Sequence, residues 1–228
     1  MQQFYSSIEF CYRNFSYLFI LCLPVFILEI ALSYLVMSMG IDGDTSEGAV
    51  LEIFSSVANE FVLLILLSLV LSVSLTGAVM VAFKSFEDSQ KILPYQALFI
   101  GFKKFFPLLW ANLIHSLAYG IGFIMLVLPG FYLYSRLGLF SAYIMFEGKS
   151  AMDAISESWQ DTETHQIKLF VLTSTFLGIQ ILFGLIGSFG EGSLNTSLLF
   201  LIAASLVKYM TLMPLFYLYF SLYQSLKK

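Results

Sequence analysis

Six long apolar stretches alternate with short polar ones along the chain. They run from about Phe15 to Met39, Phe61 to Phe83, Phe106 to Leu128, Phe131 to Phe146, Leu169 to Phe189 and Leu198 to Leu222. A helix needs about 20 mostly apolar residues to cross roughly 30 Å of hydrocarbon, so the pattern predicts six spanning helices. The fourth stretch, at 16 residues, is the shortest. At about 1.5 Å per residue it reaches only some 24 Å, and it needs neighbouring residues, a thinned bilayer or shelter from other helices.

The segments before spans one, three and five are polar enough to leave the membrane yet carry apolar residues at helical spacing. Before span one, Phe4, Ile8, Cys11 and Phe15 recur at i, i+4, i+7 and i+11. Before span three, Leu98, Phe102 and Phe105 share a face, Lys103 and Lys104 mark the polar side, and Pro94 suits a first helical turn. Before span five, Met152, Ile155 and Trp159 form the stripe, with Ser150 and Asp153 at capping-box positions. Such segments read as amphipathic helices lying in the membrane interface. Sliding the chain over itself by ninety residues sets Tyr5 on Tyr95, Ile8 on Leu98, Tyr12 on Phe102, Arg13 on Lys103, Phe15 on Phe105 and Leu18 on Leu108. The reading is three like-oriented units within one all-α membrane domain, residues 1–83, 91–146 and 150–226. Each has an interfacial helix, a span out, a turn and a span back. The turns are the Asp-rich segment at Asp42 and Asp44, Pro129-Gly130 and the Glu191 loop.

Composition agrees with this picture. Of 228 residues, 59% are hydrophobic and 11% charged, against about 25% charged in an ordinary soluble chain, and the mean hydropathy is +0.86. Too few charges exist to cover a surface in water, which excludes the soluble-enzyme and disulfide-scaffold classes, and a net charge of −4 suggests no nucleic-acid partner. Nine of the eleven basic residues fall on one side of the six-span topology: Arg13, Lys84, Lys91, Lys103, Lys104, Lys149, Lys168, Lys227 and Lys228. Since lysine and arginine favour cytoplasmic loops, both termini are expected in the cytoplasm. The first apolar run is too long for a signal-peptide core and is expected to remain as a span. Cys11 and Cys22, roughly 16 Å apart on a helix, read as small apolar fillers, not a disulfide.

The run Leu128 to Lys168 carries Pro129-Gly130, Arg136-Leu137, Glu147-Gly148, Asp153-Ala154-Ile155 and Ser158-Trp159 followed by Thr162. In these features it resembles the YciC-type family of bacterial inner-membrane proteins, and similar segments occur in the membrane domain fused to some glycerophosphodiester phosphodiesterases. The resemblance implies a multi-pass protein of the bacterial inner membrane, from a family without an assigned activity. It supplies no catalytic or ligand residues.

Two basic residues, Arg136 and Lys208, sit inside spans, as do Glu29 and His115. Ionisable groups within a bilayer are costly and are functional candidates by default. Glu29 is roughly 21 Å along span one and Arg136 roughly 9 Å along the span entering from outside. Their similar level makes them the favoured pair. Lys208 and His115 lie near the midplane; Lys208 is neutral, meets an acid such as Glu29 or faces a wet cavity, and His115, one turn after Asn112, reads as a hydrogen-bonded interhelical contact. No metal motif, cofactor motif or catalytic constellation is present in the sequence, so no enzyme activity is expected. The favoured function is an accessory or scaffold protein in envelope or lipid homeostasis whose partners are membrane lipids and other inner-membrane proteins. The alternative is a small-molecule or lipid transporter using Glu29, His115, Arg136 and Lys208.

Overall fold

The computed structural model describes residues 2–40, 46–90, 92–188 and 194–227, whose regular structure is all helical, with no strand among them. Asp42, Asp44, Lys91, Glu191 and Lys228, and the side chain of Phe4, lie outside the described residues. The helices are α1 (Gln2–Arg13), α2 (Phe15–Ser38), α3 (Glu47–Glu87), α4 (Pro94–Lys103), α5 (Phe105–Met125), α6 (Val127–Leu137), the single turn α7 (Phe140–Ala142) continued by a π-turn (Tyr143–Glu147), α8 (Ala151–Asp161), a 3-10 turn (Glu163–His165), α9 (Gln166–Ser188) and α10 (Leu194–Leu226).

Five of these are long and apolar enough to cross a membrane: α2, α3, α5, α9 and α10. The chain is therefore an all-helical membrane protein. The fourth span expected from the sequence, Phe131 to Phe146, is not one helix. Its residues are divided among α6, a break at Gly138 and Leu139, α7 and the π-turn. Nor is Pro129-Gly130 the turn before it. The reversal comes earlier, at Leu126 (φ −164°, ψ 150°), and both residues sit inside α6, where a proline in the first turn forfeits no helical hydrogen bond. The second span is longer than expected. At 41 residues, α3 is about 60 Å long, and it takes in Glu52 and Glu60, which precede the second apolar stretch.

Local chemistry sets three of the helix starts. Ser46 Oγ accepts from the Ala49 amide (3.4 Å) at the start of α3, Gln96 Oε1 accepts from the Leu93 amide (3.1 Å) where Pro94 opens α4, and Ser150 Oγ accepts from the Asp153 amide (3.3 Å) at the start of α8. These bonds satisfy amides that a helix start otherwise leaves bare. The joints α1/α2 and α4/α5 are alike: Asn14 has φ −111° and ψ 19°, Lys104 φ −106° and ψ 23°. The two residues are ninety positions apart.

The spans do not bury themselves evenly. The first half of α3 exposes Leu51, Val62, Leu63 and Leu66, whereas Leu75, Ala78, Val79, Met80, Ala82 and Phe83 near its end are buried. There α3 meets α1, α2, α4 and α10 in one core, where Phe10 stacks on Tyr217 at 4.0 Å and meets Phe83 edge-on at 5.8 Å. A second core joins α5, α7, α8, α9 and α10 around Leu108, Leu139, Tyr143, Ile144, Leu215 and Tyr219. The helix α4 lies against the end of α3, α1 against α10, and α8 against the α6–α7 segment and α5. The α3/α4 contact is close enough that a Cβ at Gly101 would overlap the Ser74 carbonyl.

Candidate functional site

The break after α6 is a site in itself. Where the helix ends, backbone groups lose their helical partners, and α8 supplies replacements. Ser158 Oγ donates to the Arg136 carbonyl (2.9 Å) and accepts from the Leu139 amide (3.1 Å), and Thr162 Oγ1 donates to the same Arg136 carbonyl (3.1 Å). Gly138 lets the chain pass beneath Tyr219, whose ring would collide with any Cβ there. The Arg136 guanidinium then turns into the protein and is 2% exposed. It donates to the Trp159 carbonyl and to Gln166 Oε1 (3.2 Å), and it lies 4.3 Å from the Trp159 ring centre and 5.8 Å from that of Tyr132. Tyr132 donates to the same Gln166 oxygen (2.7 Å). Carbonyl dipoles and ring faces thus stabilise the cation, and no carboxylate of the described residues lies within ion-pair distance of it.

This corrects the pairing expected from depth. Glu29 does not meet Arg136; its Oε1 accepts from Lys208 Nζ at 2.5 Å, joining α2 to α10. Equal depth was a poor guide because α2 packs on α3 and α10, whereas α6 packs on α5, α8 and α9. The Glu29–Lys208 pair lies on a lateral groove of about 400 Å³ between α2, α9 and α10, lined also by Ser33, Gln180, Phe183 and Ser205. Pairing leaves both charges partly open, Lys208 at 44% and Glu29 at 24% side-chain exposure. Gln180 donates to Thr211 (2.8 Å), whose hydroxyl bonds back to the Val207 carbonyl.

His115 and Asn112 belong to neither place. His115 Nε2 is 3.3 Å from the Tyr134 carbonyl of α6, among the rings of Tyr119, Tyr134 and Phe140, and Asn112 donates to Leu108 of its own helix (2.8 Å). The residues expected on the three amphipathic helices divide by face. Ile8 (40%), Phe102 (49%), Met152 (66%) and Trp159 (40%) are exposed, and Leu98 and Ile155 pack against the two cores. Lys103 stands 5.1 Å from the Phe99 ring centre, and Lys104 Nζ reaches to 3.7 Å from where a Cβ on Gly148 would stand. A small face, Ala97 with Gly101 on α4 and Ala154 with Ser158 on α8, turns inward. Both cysteines are free and buried. Burial pushes the Cys11 thiol up to about 12.

Sequence reasoning missed Gln180, a lone amide in an apolar run. That was the available signal, because such amides in membrane helices hydrogen-bond across to a neighbour. Comparison with models of known families, with curated proteins and with solved structures finds nothing that matches this chain.

Proposed function

We propose that the chain is a multi-pass protein of the bacterial cytoplasmic membrane that serves envelope or lipid homeostasis as an accessory or scaffold protein, related to the YciC-type family. In this reading both termini are cytoplasmic, and α1, α4 and α8 lie as amphipathic helices in the inner leaflet. One observation carries it. The three short helices expose large apolar side chains, and two of them carry cations alongside: Tyr5 at 66% and Tyr12 at 81% on α1, with Arg13 adjacent to Tyr12, Tyr95 at 65% and Phe99 at 59% on α4, with Lys103 5.1 Å from the Phe99 ring centre, and Met152 at 66% on α8. Aromatic rings with basic neighbours are favoured at the level of the lipid headgroups.

The packing supports three like-oriented units. Each short helix leans on the returning segment of the unit before it, and α1 leans on α10, the returning helix of the last. The matching joints at Asn14 and Lys104 fit the same scheme. Such a ring would hold three amphipathic helices at one level.

Environment-sensitive dyes placed by Tyr12→Cys, Phe99→Cys and Met152→Cys test the placement in vesicles containing lipids brominated near the headgroup. Strong quenching at all three is expected. Quenching by aqueous iodide alone would sink the interfacial reading. Function is read from Tyr12→Ser/Phe99→Ser/Met152→Ser introduced in place of the wild-type chain. Normal envelope behaviour from that stably inserted variant would exclude a scaffold acting through these faces.

A further inference from the structure

We propose that the groove between α2, α9 and α10 binds the headgroup of a zwitterionic membrane phospholipid, with Lys208 meeting the phosphate and Glu29 the ammonium. The inference rests on the groove and the spanning helices, and does not depend on where α1, α4 and α8 lie.

Paired with each other, both charges still face open space. An ammonium has three donors and a carboxylate roughly four acceptor sites; the 2.5 Å contact uses one of each, and Tyr209 adds a hydrogen bond to Glu29 and a ring face 5.5 Å from Lys208 Nζ, which still leaves sites on both groups. The rest lie 179 residues apart in sequence but side by side, well inside two helices that are long and apolar enough to span. Charges at that depth require a polar neighbour. The walls supply few, namely Ser33, Gln180 and Ser205, and are otherwise apolar with Leu32, Phe183 and Leu201. A hydrocarbon tail alone would strip both charges of water and return nothing. An anionic headgroup would satisfy Lys208 and set like charge against Glu29. A headgroup bearing both signs matches both ends of the pair. Around the groove α9 and α10 expose Leu182 (63%), Leu185 (50%) and Leu199 (68%), a surface along which acyl chains can lie while the head is held.

The test is a titration of the full-length chain in detergent with phosphatidylethanolamine carrying a fluorophore on one acyl chain, competed by unlabelled lipids. Unlabelled phosphatidylethanolamine is expected to displace the probe at least about tenfold more effectively than phosphatidylglycerol or diacylglycerol. Glu29→Gln/Lys208→Met is expected to erase that preference. Ala204→Phe, which fills the groove one helical turn from Lys208 and leaves both charged residues in place, is expected to abolish binding while the melting temperature holds. Wild-type protein that does not discriminate among the three lipids overturns the proposal, as does undiminished binding by Ala204→Phe. Displacement by free phosphoethanolamine as effective as by the lipid also overturns it, because the site would then serve a soluble ligand.

Discussion

Ser158 and Thr162 share one acceptor but not one donor, and a double-mutant cycle exposes the difference. In Thr162→Val the Arg136 carbonyl keeps the 2.9 Å bond from Ser158, so the loss is that of about one ordinary hydrogen bond, about 0.5–1.5 kcal/mol. In Ser158→Ala the Leu139 amide loses its 3.1 Å acceptor at a residue with no solvent exposure. A buried unsatisfied group costs about 1–3 kcal/mol. The Arg136 carbonyl survives that change on the 3.1 Å bond from Thr162, whose single proton is also shared with the Ser158 carbonyl. In the double variant nothing from α8 reaches the carbonyl. The cost should therefore exceed the sum of the single costs, with a coupling of about 1 kcal/mol. The assay is unfolding of the purified chain in mixed micelles titrated with dodecyl sulfate and followed by circular dichroism. Additivity within about 0.5 kcal/mol would show that the two hydroxyls do not seal the same break, and the account of α8 given above would fail.

Gly101→Ala forces a methyl group into the Ser74 carbonyl and should cost about 1–3 kcal/mol as an overpacking change, read as a lower melting temperature. Glu29→Gln and Lys208→Met should each lower the melting temperature more than the two combined, because each single change leaves one unmatched charge at membrane depth; a double variant less stable than either single would refute this. For Glu147, burial acts to raise the carboxyl, but hydrogen bonds from Lys227, Lys149 and Tyr223 outweigh it and hold the group below its usual range. Its folded value is depressed, so its stabilisation is present above the usual carboxylate range and is lost as pH falls through the folded value. A melting profile taken downward from neutral pH should steepen below about pH 4.3, and Glu147→Gln should flatten it. Cys11, with its thiol raised to about 12, should resist maleimide in the folded protein at pH 7 and react once unfolded; rapid labelling without unfolding would contradict its burial.

The long apolar runs were legible because nothing else in a sequence of this composition spans twenty residues, and five of them became continuous helices. The short helices were legible too, since Pro94, Ser150 and the ninety-residue offset are local signals. The break at Gly138 was not. Leu137-Gly138-Leu139-Phe140 holds no proline or polar cluster, and the groups that make the break tolerable, Ser158 and Thr162, come some twenty residues later. The partners of the buried charges were hidden for a related reason. Counting residues gives depth along a helix axis but not which neighbour the side chain faces. Glu29 and Arg136 are therefore level in the count and separate in space. The motif between Leu128 and Lys168 was visible as letters only; in the structure Arg136, Ser158, Trp159 and Thr162 prove to be parts of a single knot.

That knot also fixes an order of events during synthesis. The Arg136 carbonyl and Leu139 amide are made before their partners, since Thr162 follows Gly138 by 24 residues. At roughly 5–20 residues per second Thr162 is added on the order of one to five seconds later. Until Ser158 and Thr162 dock, the Arg136 carbonyl and Leu139 amide need another partner, such as water, for their bare backbone groups. Topology in this protein is completed from behind, by a helix translated after the segment it secures.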